Sequence, residues 1–173
     1  MLYLHSDIGS GVVIKKEIIF EAHESARGQG ESYLAPWKQF GIVETAKDLV
    51  NKGLGTDIVN MVNGDVDAIT LEVVLQATEN GDELAEDLVR RAGLALGVRA
   101  AYLVNIFGVT TVIIGGGVEK KEGGFIKCVK ESQERFLLKG LQGGVEVIPC
   151  VLGKESSSIG AAALCLRELF MEV

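Results

Sequence analysis

The stretch from Leu94 to Val118, LALGVRAAYLVNIFGVTTVIIGGGV, constrains this chain more than any other. It reads as the last turns of a long apolar helix, a tight turn at Gly108, a buried strand and a glycine-rich turn. Val109 to Ile114 is β-branched at every position. Such a run bounded by glycines predicts a strand covered on both faces. Gly115, Gly116 and Gly117 follow directly. A triple glycine there lets the backbone turn sharply or come close to a ligand. It is either a tight turn against a helix or a ligand crevice at the carboxyl end of a strand, where open α/β sheets bind.

Before this stretch, Glu83 to Phe107 is predicted as the longest helix, with Leu84, Leu88, Ala92, Leu96, Leu103 and Phe107 at helical spacing. Asn80 or Asp82 can supply the N-cap oxygen. Gly93 and Gly97 lie four apart and cost the helix roughly 1 kcal/mol each against Ala, so another backbone is expected to approach them closely. Asn105 reads as a structural residue. Short helices are predicted at Val43–Lys52 and Thr70–Thr78, with a polar, turn-rich segment at Thr56–Asp67. At the start, Met1–Leu4 reads as a strand, Ser6–Gly11 as a glycine turn, and Val12–Ile14 with Ile18–Phe20 as a hairpin. Opening directly on such a strand suggests a piece of something longer. Glu21–Gln39 reads as loop. Later come a helix at Glu122–Lys139, a strand at Val145–Val151 that Pro149 marks as an edge or an end, a serine-rich turn, and a closing helix at Ile159–Phe170.

The chain has 173 residues and no linker, so 1–173 reads as a single lobe. A net charge of -7 argues against this segment gripping nucleic acid by itself. No apolar run is long enough to span a bilayer, and the N-terminus lacks a secretory pattern. Cys128, Cys150 and Cys165 are odd in number and far apart. They read as buried small hydrophobes in a reduced, cytoplasmic compartment. His5 and His23 have no partner at metal-ligand spacing. The turn around Gly9 and Gly11 could offer backbone N–H groups to a phosphate, with Asp7 opposing it. The run Ser156–Ser158 could cap the last helix. No nucleophile–base arrangement is visible.

Three segments carry a family resemblance: DIGSGVVIKKEIIFEA; GDVDAITLEVVLQATENGDELAEDLVRRAGLALGVRAAYLVNIFGVTTVIIGGGV; and IPCVLGKESSSIGAAAL. Together they resemble the C-terminal half of the ROK family, which comprises sugar kinases and sugar-responsive transcriptional repressors. The resemblance implies an α/β fold: the C-terminal lobe of the actin-like ATPase (ribonuclease H-like) fold, a mixed sheet with an N-terminal hairpin and flanking helices. It places Gly9, Gly11, Gly115, Gly116, Gly117, Ser158 and Gly160 on the nucleotide and phosphate side. It places Gln29, Ser32 and Glu44 on the effector side.

Departures from the family pattern bear on function. Its G-E-x-G-H sugar segment falls on Gly28–Ser32, where Gln29 replaces the Glu and Ser32 the His. Its zinc segment falls on Ala35–Glu44, with Ala35, Trp37 and Ile42 at the three cysteine positions. Asp7 replaces a glycine of the phosphate turn. The implied reading is a non-catalytic lobe of a ROK-type regulator that binds a sugar-like effector, needs no cofactor or metal, holds ATP or ADP at most weakly, reaches DNA only through an N-terminal domain, and forms a homodimer. The alternative is half of an ATP-dependent sugar kinase. A third reading is a degenerate lobe kept for dimerisation.

Overall fold

The computed structural model describes residues 2–4, 8–22, 41–118 and 124–170. Strands β1 (Leu2–Leu4), β2 (Ile8–Ile14) and β3 (Glu17–Ala22) open the chain. Helices α1 (Ile42–Asn51), α2 (Asp57–Met61), α3 (Leu71–Glu79) and α4 (Glu83–Phe107) follow. Then come β4 (Thr111–Gly115), α5 (Gly124–Phe136), β5 (Glu146–Pro149) and α6 (Ser156–Phe170). The sheet order is β3-β2-β1-β4-β5. β1 pairs antiparallel with β2 and parallel with β4, and β4 pairs parallel with β5. The mixed sheet with an N-terminal hairpin is therefore present.

β2 and β3 meet through Lys15 and Lys16, both at positive φ (53° and 70°). This is the backbone of the favoured two-residue hairpin turns, normally given to Asn-Gly. The two lysines sit exposed in it, as a solvated turn should. Gly9, Ser10 and Gly11 were expected in a turn, but all three lie within β2. Pairing with β1 and β3 draws them into the ladder and moves the connection to residues outside the described set. Two further expectations change in detail. The polar stretch Thr56–Asp67 contains α2 and a short 3-10 turn at Val66–Ala68. The serine run forms the first turn of α6, not a turn before it.

Helix α4 is the spine. Asp82 caps its N-terminus, its carboxylate accepting from the Ala85 amide at 2.8 Å. Gly108 ends it at φ 65°, donating its N–H to the Val104 carbonyl at 2.8 Å. Ala92, Leu96, Ala100, Ala101 and Val104 are buried and join Val112, Ile114 and Val129 in one core. Gly93 and Gly97 face α5. A Cβ on Gly97 would lie 2.6 Å from both the Val129 carbonyl oxygen and the Ser132 Cβ. The Ser132 hydroxyl donates to the Leu94 carbonyl at 2.8 Å across the same seam. The two glycines thus do admit a second backbone. Asn105 is structural, as read: its amide donates to the Phe136 carbonyl and accepts from the Leu138 N–H, both at 3.0 Å. β5 is the sheet edge and Pro149 its last residue, where a missing N–H is tolerated. The cysteines depart from expectation: Cys128 and Cys150 are half-buried and Cys165 is exposed.

Candidate functional site

The carboxyl ends of β1, β4 and β5 lie along one edge of the sheet, and antiparallel β2 begins there. Tyr3 is in register with Gly9 on one side and Gly115 on the other. Gly9 and Gly115 are therefore two strand spacings apart, about 10 Å. Gly116 and Gly117 leave the strand at φ 111° and 96°. A Cβ on Gly117 would meet only the Leu71 side chain at 3.6 Å, an ordinary contact. Conformation, not crowding, therefore requires glycine at 117. The Cys150 N–H donates to the Ile114 carbonyl at 2.7 Å, bringing the end of β5 beside the strand end that leads into the triple glycine.

Ser156, the first residue of α6, is 6% exposed, and its hydroxyl has no hydrogen-bond partner. Sequence reasoning assigned the serine run to capping, and the orphaned Oγ shows that Ser156 does not cap. Ser158 and Gly160 follow, exposed, on α6. The structure thus brings Gly9 and Gly115, with Gly116 and Gly117 following, to one edge of the sheet. Backbone N–H groups at such a glycine edge suit an anionic or polar ligand. Gly11 is elsewhere: it pairs with Glu21 and lines a cavity at the opposite, amino end of β4. That cavity is lined largely by apolar groups and carries none of the polar chemistry of the glycine edge.

Glu44 sits exposed in the first turn of α1. Gln29, Ser32 and Asp7 lie outside the described residues. The family's zinc can be tested at one position. Ile42, which stands where a thiolate would ligate, is 3% exposed and packs in the core. An aliphatic chain there offers no ligand. Among the described residues, no three His, Cys, Asp or Glu side chains are grouped to hold a metal.

Asp82 ties two helices of the helical layer to each other. It also accepts from the Thr56 hydroxyl at 2.8 Å and the Asp57 N–H at 2.7 Å, joining the starts of α2 and α4. Burial opposes its ionisation. The amides of Ala85, Asp57 and Leu84 and the Thr56 hydroxyl outweigh that and hold the carboxyl below its ordinary range. The sequence offered Asp82 as a cap but gave no signal of its reach back to Thr56.

The architecture defines a class: a lobe with a mixed sheet, an N-terminal hairpin, and glycines at the carboxyl edge of the sheet. The ROK family model matches residues 41–168, and the chain belongs to the ROK family. The DNA-binding transcriptional dual regulator NagC of Escherichia coli (strain K12) is 21% identical over 98% of this chain and 44% of its own length. A glucokinase of Halalkalibacterium halodurans is 29% identical over 58% of this chain and 30% of its own length. Among solved structures, the ROK glucokinase of Streptomyces griseus, in complex with glucose and AMPPNP, superposes with a TM-score of 0.73 at 23% identity. The match covers 94% of this chain and 58% of that one. A ROK transcriptional regulator homologous to E. coli Mlc gives a TM-score of 0.66 at 18% identity, over 86% of this chain and 40% of that one. The fold is that of the actin-like ATPases, as the resemblance implied. The chain spans less than half the length of these two curated relatives. Among the described residues, no helix is long and apolar enough to cross a membrane.

Proposed function

We propose that this chain is the effector-binding lobe of a ROK-type transcriptional regulator, not catalytic by itself, and that it works in the cytoplasm as a single lobe. The observation that carries the reading is Ile42 in the hydrophobic core, at the position of a zinc thiolate. The helix start that should present a metal ligand beside the sugar has instead been absorbed into packing. Gln29 and Ser32 in place of Glu and His point the same way, since a neutral amide bonds a hydroxyl more weakly than a carboxylate does. The glycine edge, with Gly9, Gly115 to Gly117, Ser158 and Gly160, would face a small polar effector of sugar-like chemistry. Gln29, Ser32 and Glu44 would lie on the effector side. DNA would be reached through an N-terminal domain. The kinase alternative draws on the same edge, where Gly115 to Gly117 could take a nucleotide phosphate; Asp7 opposes it by adding like charge to the phosphate turn.

Helix α6 also supports a homodimer. Ile159, Leu164, Leu166, Leu169 and Phe170 are exposed along it, and a helix apolar all round is normally covered. Two measurements test the proposal. Calorimetric titration with a panel of hexoses and aminosugars should show binding, while ADP release with ATP and the same sugars stays at background. Sugar-dependent ADP release would overturn the regulator reading in favour of the kinase.

A further inference from the structure

The amino ends of β4 and β5 lie at the opposite end of these strands from the glycine edge. An open groove of about 610 Å³ is found there, lined by α5 on one side and by β5 and the turn before it on the other. β5 is the last strand in the sheet order. The Glu146 and Cys150 N–H groups donate to the Thr110 and Ile114 carbonyls at 2.8 and 2.7 Å. Main-chain groups alternate in direction along a strand. Ile148 therefore turns toward β4 with Glu146 and Cys150, and Val147 and Pro149 turn outward. Pro149 has no N–H to offer, so Val147 is the residue of β5 with both an outward donor and an outward acceptor. Val147 lines the groove, yet it is 2% exposed and its side chain belongs to the core. What it presents to the groove is main chain.

The wall on α5 includes Gln133. This residue is 2% exposed, and its Nε2 has no hydrogen-bond partner. Native structures rarely leave a buried amide donor alone. The rim carries three exposed carboxylates, Glu131, Glu134 and Glu146, against one ammonium, Lys130. Glu134 accepts from the Gly143 N–H at 2.9 Å, and Glu131 lies 3.9 Å from Lys127. Among the described residues, Glu146 has no ion-pair partner.

We infer that this groove is a docking site for a short extended peptide with basic side chains, added beside β5. The Val147 N–H and C=O would pair with its main chain. A peptide carbonyl would accept from Gln133 Nε2, the donor left over in the groove. Glu146, with Glu131 and Glu134 beside it, would select lysine or arginine by charge. Such strand addition draws affinity from main-chain bonds and selectivity from side chains. Charge and proline are also what keeps a sheet edge from pairing at random. Here Pro149 ends the available ladder, and the carboxylates turn away acidic segments. The groove uses no residue of the glycine edge, so the inference holds whether the lobe serves a regulator or a kinase.

The test titrates the full chain calorimetrically at low ionic strength with acetyl-Thr-Lys-Val-Lys-Thr-amide. A counterpart with Glu at both Lys positions is the control. The Lys peptide should bind about tenfold more tightly than the control, with the preference shrinking as salt is raised. It should also slow exchange of the Val147 amide about tenfold. Gln133→Met keeps the chain length and removes the amide. It should weaken the Lys peptide about tenfold without lowering the melting temperature, since an unpaired buried donor is lost. Glu146→Lys, on the exposed rim, tests the charge without touching the core and should abolish the preference between the peptides. No binding, or equal binding of the two peptides, would overturn the inference. So would unchanged affinity in Gln133→Met. N-acetyl-lysine methylamide binding as tightly as the pentapeptide would assign the groove to a small cation and overturn strand addition.

Discussion

Two helix environments in this molecule are opposites. Along the α4–α5 seam, glycines and small side chains bring two backbones close enough that a single added Cβ at Gly97 has no room. Helix α6 is of similar apolar character, yet Leu169 and Phe170 are each 74% exposed, while Leu96 on α4 is 0% exposed. The difference lies in what is present to cover each helix. α5 follows β4 closely in sequence and folds back onto α4, whereas no other described element packs broadly on α6. A helix's own composition therefore states that it must be covered, and only the surrounding architecture supplies the cover.

The seam should break most sharply at Gly97→Ala. Helix propensity favours Ala by about 1 kcal/mol, but overpacking against the Val129 carbonyl and Ser132 should reverse the sign, for a net loss of about 2 to 3 kcal/mol. Chemical denaturation measures this, and an unchanged midpoint would mean that the helices can separate at little cost. On α6, Leu166→Gln should change the same midpoint by less than about 0.5 kcal/mol in the monomer. It should also reduce the dimer population in light scattering. Equal losses at Gly97 and Leu166 would erase the contrast between the two helices.

Asp82→Asn should cost about 2 kcal/mol at neutral pH, because it weakens charge-assisted bonds at the starts of both α2 and α4. The folded carboxyl titrates below its ordinary value, so its contribution is fully present above the unfolded pKa of about 3.9. That contribution is lost as pH falls through the lower folded value. The gap between wild type and variant in thermal melts should therefore close on acidification below about pH 4. A gap constant down to pH 2 would show that charge is not what Asp82 contributes.

At the ligand edge, Gly116→Val should cost more than about 1 kcal/mol, since φ of 111° is closed to a β-branched residue. An unchanged melting temperature with unchanged sugar binding would contradict it. The smallest effect should be a gain. Replacing Lys15-Lys16 by Asn-Gly relieves two positive-φ lysines and should raise stability by about 0.5 to 1 kcal/mol, read as a shift of a few degrees in melting temperature.

Much of this molecule was legible locally. The 25 residues of α4 follow from apolar spacing, a capping aspartate and a terminal glycine. β4 follows from β-branching, and the small-residue seam from Gly93 and Gly97. These are properties of adjacent residues, and the sequence carries them whatever the rest of the chain does. The three features decided by tertiary structure all depend on partners distant in the chain. Gly9 and Gly11 were drawn into β2 by pairing with β1 and β3, because a ladder overrides the turn preference of glycine. Asp82 bonds Thr56 and Asp57, about 25 residues earlier, a reach that no local pattern encodes. Gly9 and Gly115 flank Tyr3 because sheet order, set by long-range hydrogen bonding and burial, places β1 between β2 and β4. The sequence determined which segments must be covered, and only the assembled sheet decided what stands beside what.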